Sequence, residues 1–178
     1  MKRQKGFTIT ELLVVMAIVA IMLGIGVPSY RYITTSYRMS AEVNSLLGDM
    51  QFARAEAIKE GQFVVVCASS SGAACTNTGW NQGWIVFSDT NNDLQLNNGE
   101  RLLHVQQAFS GTVPDAMAAN VTAVKYNREG FATATAQLPT TFTLTESTNN
   151  NAWKRCLLLT AVGTASTLTH VADAVNCP

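Results

Sequence analysis

Apolar and polar positions divide the chain near residue 60 into a helical part and a strand-rich part. Residues 7–27 are almost all apolar, and beyond Pro28 apolar residues recur at steps of three and four, the period of an amphipathic helix. The recurring positions are Val43, Leu46, Leu47, Met50, Ala53, Ala57 and Ile58. Gly61 follows as a typical C-cap residue. The pattern therefore predicts one long helix over about residues 8–60, bent or loosened near Pro28 and the two glycines before it.

From residue 62 onward, short runs rich in β-branched and aromatic residues alternate with clusters of Gly, Asn, Ser and Pro, which is typical of antiparallel strands. The candidate strands are residues 63–67, 84–87, 102–105, 121–126, 141–144, 156–160 and 167–170. The apolar stripe of the helix needs a surface to pack against. The predicted fold class is therefore α+β, with a long N-terminal helix packed on a β-rich head of antiparallel sheets.

The apolar segment 7–27 is long enough to cross a membrane, since its 21 residues span about 31 Å as a helix. Lys2, Arg3 and Lys5 precede the segment and few charges follow it directly, so the leader should stay in the cytoplasm while the rest is exported. A cleaved secretory signal peptide, cut near residues 24–26, is the alternative on these features.

Glu11 is the one carboxylate inside this apolar segment. An ionised group at membrane depth is costly unless a partner neutralises it. An assembly of neighbouring helices can supply such a partner. The carboxylate therefore indicates an anchor that also becomes a packing element.

The first residues of this segment carry a resemblance to a known family. Residues 6–13, GFTITELL, resemble the prepilin site of type IV pilins and type II secretion pseudopilins, and Pro28 matches a proline that these helices often carry. The resemblance implies that a prepilin peptidase cuts after Gly6 and that the new amino group of Phe7 is methylated. It also implies that Glu11 assists docking onto the growing filament. A signal peptide is disfavoured accordingly.

A second resemblance covers the end of the helix and the first half of the head. The runs FARAEA at 52–57, VVC at 65–67 and GWIVFSD at 83–89, with the polar residues up to Glu100, are similar to the GspH/FimT family of minor pilins and secretion pseudopilins. This resemblance implies a head of two antiparallel sheets, no enzymatic activity and no cofactor. The implied division is a prepilin leader 1–6, a hydrophobic transmembrane or filament-core helix 7–28, an amphipathic helix 29–60 and a periplasmic head 61–178.

Together the resemblances imply a minor pilin, a structural subunit that acts in assembly or initiation of a type IV pilus, with the filament tip as one location. A minor pseudopilin of a type II secretion system and a DNA-binding minor pilin of DNA uptake are the alternatives. The implied partners are other pilins, through the N-terminal helix, the prepilin peptidase and the bacterial inner membrane. The protein would cross that membrane once before it joins a pilus or pseudopilus.

Charge argues against nucleic acid as a partner. The whole chain has a formal net charge of zero, and the head from Gly61 has 5 basic and 7 acidic residues. The resemblance places a Gly-Arg-x-Arg pattern of DNA-uptake relatives after the strand that begins here at Cys156, but residues 161–166 read AVGTAS. Phosphate binding needs clustered basic side chains, and two basic pairs remain in the head: Lys154 with Arg155, and Lys125 with Arg128.

Four cysteines in an exported chain suggest two disulfides, and the sequence alone allows three pairings. The local pairing, Cys67 with Cys75 and Cys156 with Cys177, is favoured because residues 68–74 suit a hairpin-like loop. A zinc site is the alternative, but the spacings do not form paired CxxC units. No metal is predicted.

Residues 89–100 place oxygen-bearing side chains at positions 1, 3, 5, 9 and 12 of a calcium-binding EF-hand loop. Leu94 stands at the sharp turn where such loops have glycine, and the flanks predict strands where an EF-hand has helices. A polar β-hairpin loop explains the same residues. Both interpretations stay open on the sequence.

No catalytic motif accompanies the two histidines, since His104 and His170 both lie in apolar strand contexts. A nucleophile elbow, a phosphate loop and a metal-ligand pair are all lacking in the sequence. Trp80 and Trp84 are four residues apart and would share a face on one straight strand. Packing in the core or on a sheet face is the favoured role for them, with a stacking platform as the alternative.

Overall fold

The computed structural model describes residues 7–109 and 115–178, so the predicted cleavage site at Gly6 lies outside the described residues. Helix α1 spans Ile9–Glu60, 52 residues, and continues through Pro28. The Pro28 ring removes one backbone hydrogen bond without ending the helix. The Gly61 N–H donates to the Ala57 carbonyl (3.0 Å) and closes the last turn.

The chain divides within this helix into two compact units, one that ends at Arg38 and one that begins at Met39. The second unit holds the last turns of α1 and all the described strands. These are β1 (Phe63–Ala68), β2 (Gly83–Asp89), β3 (Leu102–Gln107), β4 (Ala116–Ala118), β5 (Ala123–Tyr126), β6 (Ala132–Ala134), β7 (Thr140–Thr145), β8 (Arg155–Leu159) and β9 (Ala165–Thr169). A single 3₁₀ turn, Trp80–Gln82, leads into β2.

The strands form two antiparallel sheets. Sheet 1 has the order β3-β2-β1-β5-β6 and sheet 2 the order β4-β7-β8-β9. In β7 buried and half-buried residues alternate, as expected of a sheet with one face toward the core. β2 is buried throughout and β1 almost throughout, because both faces of sheet 1 are covered. The predicted α+β class with a long N-terminal helix is confirmed.

One face of sheet 1 packs with α1 and sheet 2 in the main core. The helix contributes a buried stripe at the predicted spacing. Its members are Met39, Val43, Leu46, Met50, Ala53 and Ala57. Ile58, which the pattern also placed on the stripe, is 52% exposed. The prediction is wrong at Ile58 because this residue lies about 100° around the helix from the buried Ala57, at the flank of the stripe.

The opposite face of sheet 1 forms a second, smaller core around Val65, Ile85 and Phe87. Cys75 and the side chains of Leu94 and Leu96 pack against it. Leu94 adopts a left-handed φ of 63°. The segment that follows β2 therefore acts as a cover for this face, which explains the leucines inside a polar run.

Trp80 and Trp84 both lie in the main core, with ring centroids 6.4 Å apart. Trp80 lies in the 3₁₀ turn and its ring meets Phe142 of sheet 2 edge-on at 5.0 Å. Their indole N–H groups are both satisfied: Trp80 donates to the Val121 carbonyl (2.8 Å) and Trp84 to the Asp49 carboxylate (2.7 Å). The favoured packing role fits this arrangement, although the two residues do not share a strand.

Asp49→Ala is expected to lower the free energy of unfolding by about 2 kcal/mol, because it leaves the buried Trp84 N–H without an acceptor. Guanidinium denaturation of the full chain in detergent measures the change. Lys59→Ala is the matched control, since it removes only a surface ion pair with Glu56 on the same helix and should cost less than about 1 kcal/mol. Equal losses for the two variants would contradict the role of Asp49.

Candidate assembly segment and head surfaces

The N-terminal segment begins with a defined helix start. Thr8 Oγ1 accepts a hydrogen bond from the Glu11 N–H (3.2 Å), which is the first half of a Thr-x-x-Glu capping box. A negative side chain in the first turn is also favoured by the helix dipole. The Glu11 backbone N–H thus takes part in starting the helix, a capping signal whose Thr-x-x-Glu spacing is visible in the sequence.

The large apolar side chains of the first unit, from Phe7 to Tyr37, are exposed. The most exposed large residues are Phe7 (83%), Ile9 (80%), Ile25 (70%), Tyr30 (70%) and Tyr37 (73%). Single soluble chains rarely expose apolar surface on this scale. Within the described residues, α1 is the one helix long and apolar enough to cross a membrane, by length and composition. The surface fits lipid or the apolar helices of other subunits.

The four cysteines form the two local disulfides that the sequence favours, Cys67–Cys75 and Cys156–Cys177. The first ties the end of β1 to the following loop, and the second ties β8 to the C-terminal residues. His170 Nδ1 also lies 2.7 Å from the Cys177 carbonyl oxygen, so this histidine belongs to the C-terminal fastening. Within residues 7–109 and 115–178, no group of three His, Cys, Asp or Glu side chains is arranged to hold a metal ion.

The loop over residues 89–100 is closed by its own hydrogen bonds. The buried Asp89 carboxylate accepts the N–H groups of Asp93 (3.1 Å) and Leu94 (3.1 Å). Glu100 accepts those of Thr90 and Asn97 (both 2.9 Å). The Gln95 N–H donates to Asp93 and holds the pKa of that carboxyl below its usual range. These contacts account for the loop as a hairpin cover, and calcium binding stays a hypothesis.

The basic residues of the head are spread and mostly engaged. Arg155 donates to Ser40 Oγ (3.3 Å) and to the carbonyls that precede β8. Lys125 donates to Asn92 (2.5 Å) and lies over the Phe63 ring, while Arg128 pairs with the adjacent Glu129 (3.0 Å). Such side chains do not form a phosphate-binding cluster.

Arg54, from the FARAEA run, lies where α1 meets two turns of the sheets. Its Nη2 donates to the Val162 carbonyl (3.3 Å) in the β8–β9 turn. Gly130, in the β5–β6 turn, and Gly163 both have positive φ, and a Cβ at either would lie within 3.2 Å of Arg54 Nε. Burial raises the pKa of the nearby Tyr126 phenol, and the positive charge of Arg54 partly opposes that rise.

Tyr126→Phe is expected to flatten the loss of stability at high pH. Burial disfavours the ionised phenol, so its folded pKa lies above the unfolded value of about 10. Its ionisation leaves stability unchanged below pH 10, and stability is lost as the pH rises further, at about 1.4 kcal/mol per pH unit. Free energies of unfolding at pH 8 and about pH 11 measure it. The wild type should lose about 1.4 kcal/mol more than the variant.

At neutral pH the same variant should be as stable as the wild type or more so, because the Tyr126 hydroxyl is buried without a hydrogen-bond partner in the part of the chain that the structure describes. Equal pH profiles for the wild type and Tyr126→Phe would show that the phenol is solvated in the folded protein.

Comparison with known proteins gives two family matches. The family described as type II transport protein GspH matches residues 42–163, and the prokaryotic N-terminal methylation motif matches residues 1–27. A curated relative, a fimbrial protein of Pseudomonas aeruginosa, is 31% identical over 113 residues, 64% of this chain and 66% of that protein. The chain thus spans just under two thirds of the length of the curated relatives it matches.

Two solved structures of the type IV minor pilin FimU of Pseudomonas aeruginosa resemble this chain. One has a TM-score of 0.58 at 16% identity and covers 82% of this chain and 99% of that one. The other, from a second crystal form, has a TM-score of 0.55 at 15% identity, with 78% and 99% covered. At such identities the likeness shows a shared fold.

Proposed function

This chain belongs to the family of the type II transport protein GspH, and we propose that it is a minor pilin, a structural subunit that acts in assembly or initiation of a type IV pilus. One observation carries the proposal: a long apolar helix that starts in a methylation motif continues into a GspH-type head. An exposed apolar surface on such a helix needs an assembly or a lipid bilayer to cover it.

The proposed life of the subunit has two stages. The helix first anchors the protein in the bacterial inner membrane, in a single pass with the head in the periplasm. The prepilin peptidase then removes residues 1–6, the amino group of Phe7 is methylated, and the helix leaves the lipid for a bundle of pilin helices. The chain acts as a structural part in this scheme, with the peptidase and methylase supplying the chemistry.

Glu11 has a defined role in the second stage. Its carboxylate would neutralise the positively charged Phe7 terminus of a neighbouring subunit, an attraction that is strengthened in an environment of low dielectric. Its place in the first turn, four residues from Phe7, suits contact between two helices staggered along a filament axis. The proposal therefore assigns cleavage and methylation to Gly6 and Phe7, and assembly to Glu11.

A pseudopilin of a type II secretion system is the second candidate, favoured by the description of the matching family as a type II transport protein. The two candidates share the helix and the assembly chemistry and differ in the filament that they join. The curated fimbrial relatives favour the pilus. DNA binding is not proposed, because the basic side chains of the head are scattered and engaged.

Deletion of the gene in its own host separates the candidates. A pilin role predicts loss of surface pili and of twitching, adhesion or DNA uptake, restored by the wild-type gene, with protein secretion unchanged. Exoproteins stranded in the periplasm, with normal piliation, would instead support the pseudopilin. Normal piliation together with normal secretion would count against both.

A further inference from the structure

A groove of about 410 Å³ lies between the last turns of α1 and the start of β9. Gln51, Arg54, Ala55 and Ile58 line it on the helix side, and residues 163–165 on the strand side. All of these residues belong to the second unit. The groove is thus a feature of the head itself, at the end of the helix where the chain enters the sheets.

Arg54 is the charged residue among those that line the groove. It makes one side-chain hydrogen bond to the described residues, to the Val162 carbonyl, and its Nε is buried without a partner among them. The described carboxylates do not form an ion pair with it. A half-buried arginine usually has such a partner, and its planar fork matches a carboxylate in a bidentate geometry.

The backbone around Arg54 is shaped to hold the guanidinium in place. A Cβ at Gly163 would collide with the Gly130 carbonyl oxygen and lie 3.2 Å from Arg54 Nε. A Cβ at Gly130 would lie 3.0 Å from the same nitrogen and 2.9 Å from Ile58 Cδ1. Both glycines have a φ near +80°. The turns of both sheets therefore approach the arginine as closely as glycine allows.

We take Ile58 of the lining, together with Phe131 and Val162, the sequence neighbours of Gly130 and Gly163, as the apolar rim of the groove. The three side chains are each about half exposed (52%, 51% and 53%). The segment 161–169 contains no charged residue and no proline, so the edge strand β9 lacks the usual protection against association. Glu129, the acidic residue nearest in sequence to Phe131, is bonded to Arg128. An incoming carboxylate thus meets one unpaired positive charge inside an apolar frame.

We propose that this groove is a docking site for another pilin subunit, which inserts an aspartate or glutamate side chain, flanked by apolar residues, onto Arg54. The inference rests on the proposed function, because it takes the partner from the same filament. Charge complementarity favours an acidic segment as the partner. The exposed apolar rim provides apolar surface that is buried on docking, which a single ion pair does not provide.

A photo-crosslinker tests the site in the full-length protein in its own host. p-Benzoylphenylalanine at position 162 should crosslink to another pilin subunit, through a peptide that contains Asp or Glu. The same amino acid at position 175, an exposed valine of the C-terminal loop, is the matched control and should not give that peptide. Arg54→Glu should lower the yield by about tenfold or more, and Arg54→Lys should lower it less.

Two further variants serve as controls for this experiment. If Arg54→Glu fails to fold, Gln51→Glu keeps the arginine and offers it an internal carboxylate one turn away, which should also reduce the crosslink. Replacing the identified acidic residue of the partner with arginine should restore the yield in Arg54→Glu. A crosslink to lipid, glycan or nucleic acid, to a peptide without a carboxylate, or one unaffected by either variant would overturn the proposal.

Fractionation of sheared filaments distinguishes failure of the docking site from failure of the proposed function. If the wild-type subunit is absent from the filaments, the proposed function fails. If the subunit is present but no acidic peptide is crosslinked at position 162, the docking site alone is refuted and the minor-pilin role stands.

Discussion

Glu11→Ala is expected to leave cleavage of the leader largely intact and to reduce incorporation of the subunit into filaments by about tenfold or more, the effect of breaking a desolvated charge pair. In the membrane, burying the ionised carboxylate costs free energy. In the proposed bundle it would face the Phe7 terminus of a neighbour. Removing it therefore takes away a contact of the assembled state and none of the precursor. Immunoblots of membrane and sheared-filament fractions, with the mass of the mature N-terminus, measure both quantities.

The capping box supplies the matched controls for this experiment. Glu11→Gln keeps a side chain that can complete the box but removes the charge, so it should fail in assembly as Glu11→Ala does. Thr8→Ala removes the observed bond from Thr8 Oγ1 to the Glu11 N–H and keeps the charge, so it should assemble. The reverse result, with Gln tolerated and Thr8→Ala defective, would show that Glu11 matters for the helix start alone.

The long helix and most strands could be predicted because their signals are local. The stripe from Val43 to Ala57 repeats at the helical period, and Phe63–Ala68 holds three consecutive valines after a phenylalanine. Strands β4 and β6 were missed because each has three residues, with alanine at both ends, and alanine is depleted in strands. Their pairing depends on longer neighbours, β7 and β5, that offer them an edge.

The head surfaces were harder to predict because they depend on residues distant in sequence. The spacing of oxygens over residues 89–100 is the same for a calcium loop and for a loop closed on its own N–H groups. Burial of Leu94 and Leu96 against sheet 1 favours the second. Arg54 stood in a visible motif, but its surroundings could not be inferred, since Gly130 and Gly163 come from turns of two different sheets. A strand pattern does not specify which turns meet.

The disulfide to the C-terminus is expected to contribute more stability than the other one. In a chain-entropy estimate, closing a loop of 22 residues (sequence separation 21) stabilises the fold by about 3.4 kcal/mol, against about 2.6 kcal/mol for the 9-residue loop between Cys67 and Cys75 (separation 8). Cys156→Ala with Cys177→Ala should therefore lower the free energy of unfolding by about 3.4 kcal/mol.

Both double variants remove a complete bridge and leave no unpaired thiol, so each serves as the control for the other. Guanidinium denaturation of the full chain in detergent gives the two losses under the same conditions. The C-terminal variant should lose the more, because Cys156 and Cys177 are both fully buried in the head, and the contact of His170 with the Cys177 carbonyl weakens when the chain end is released. A larger loss for the Cys67 and Cys75 variant would contradict this order. It would indicate that fastening the loop over the second core of sheet 1 matters more to the head than fastening the chain end.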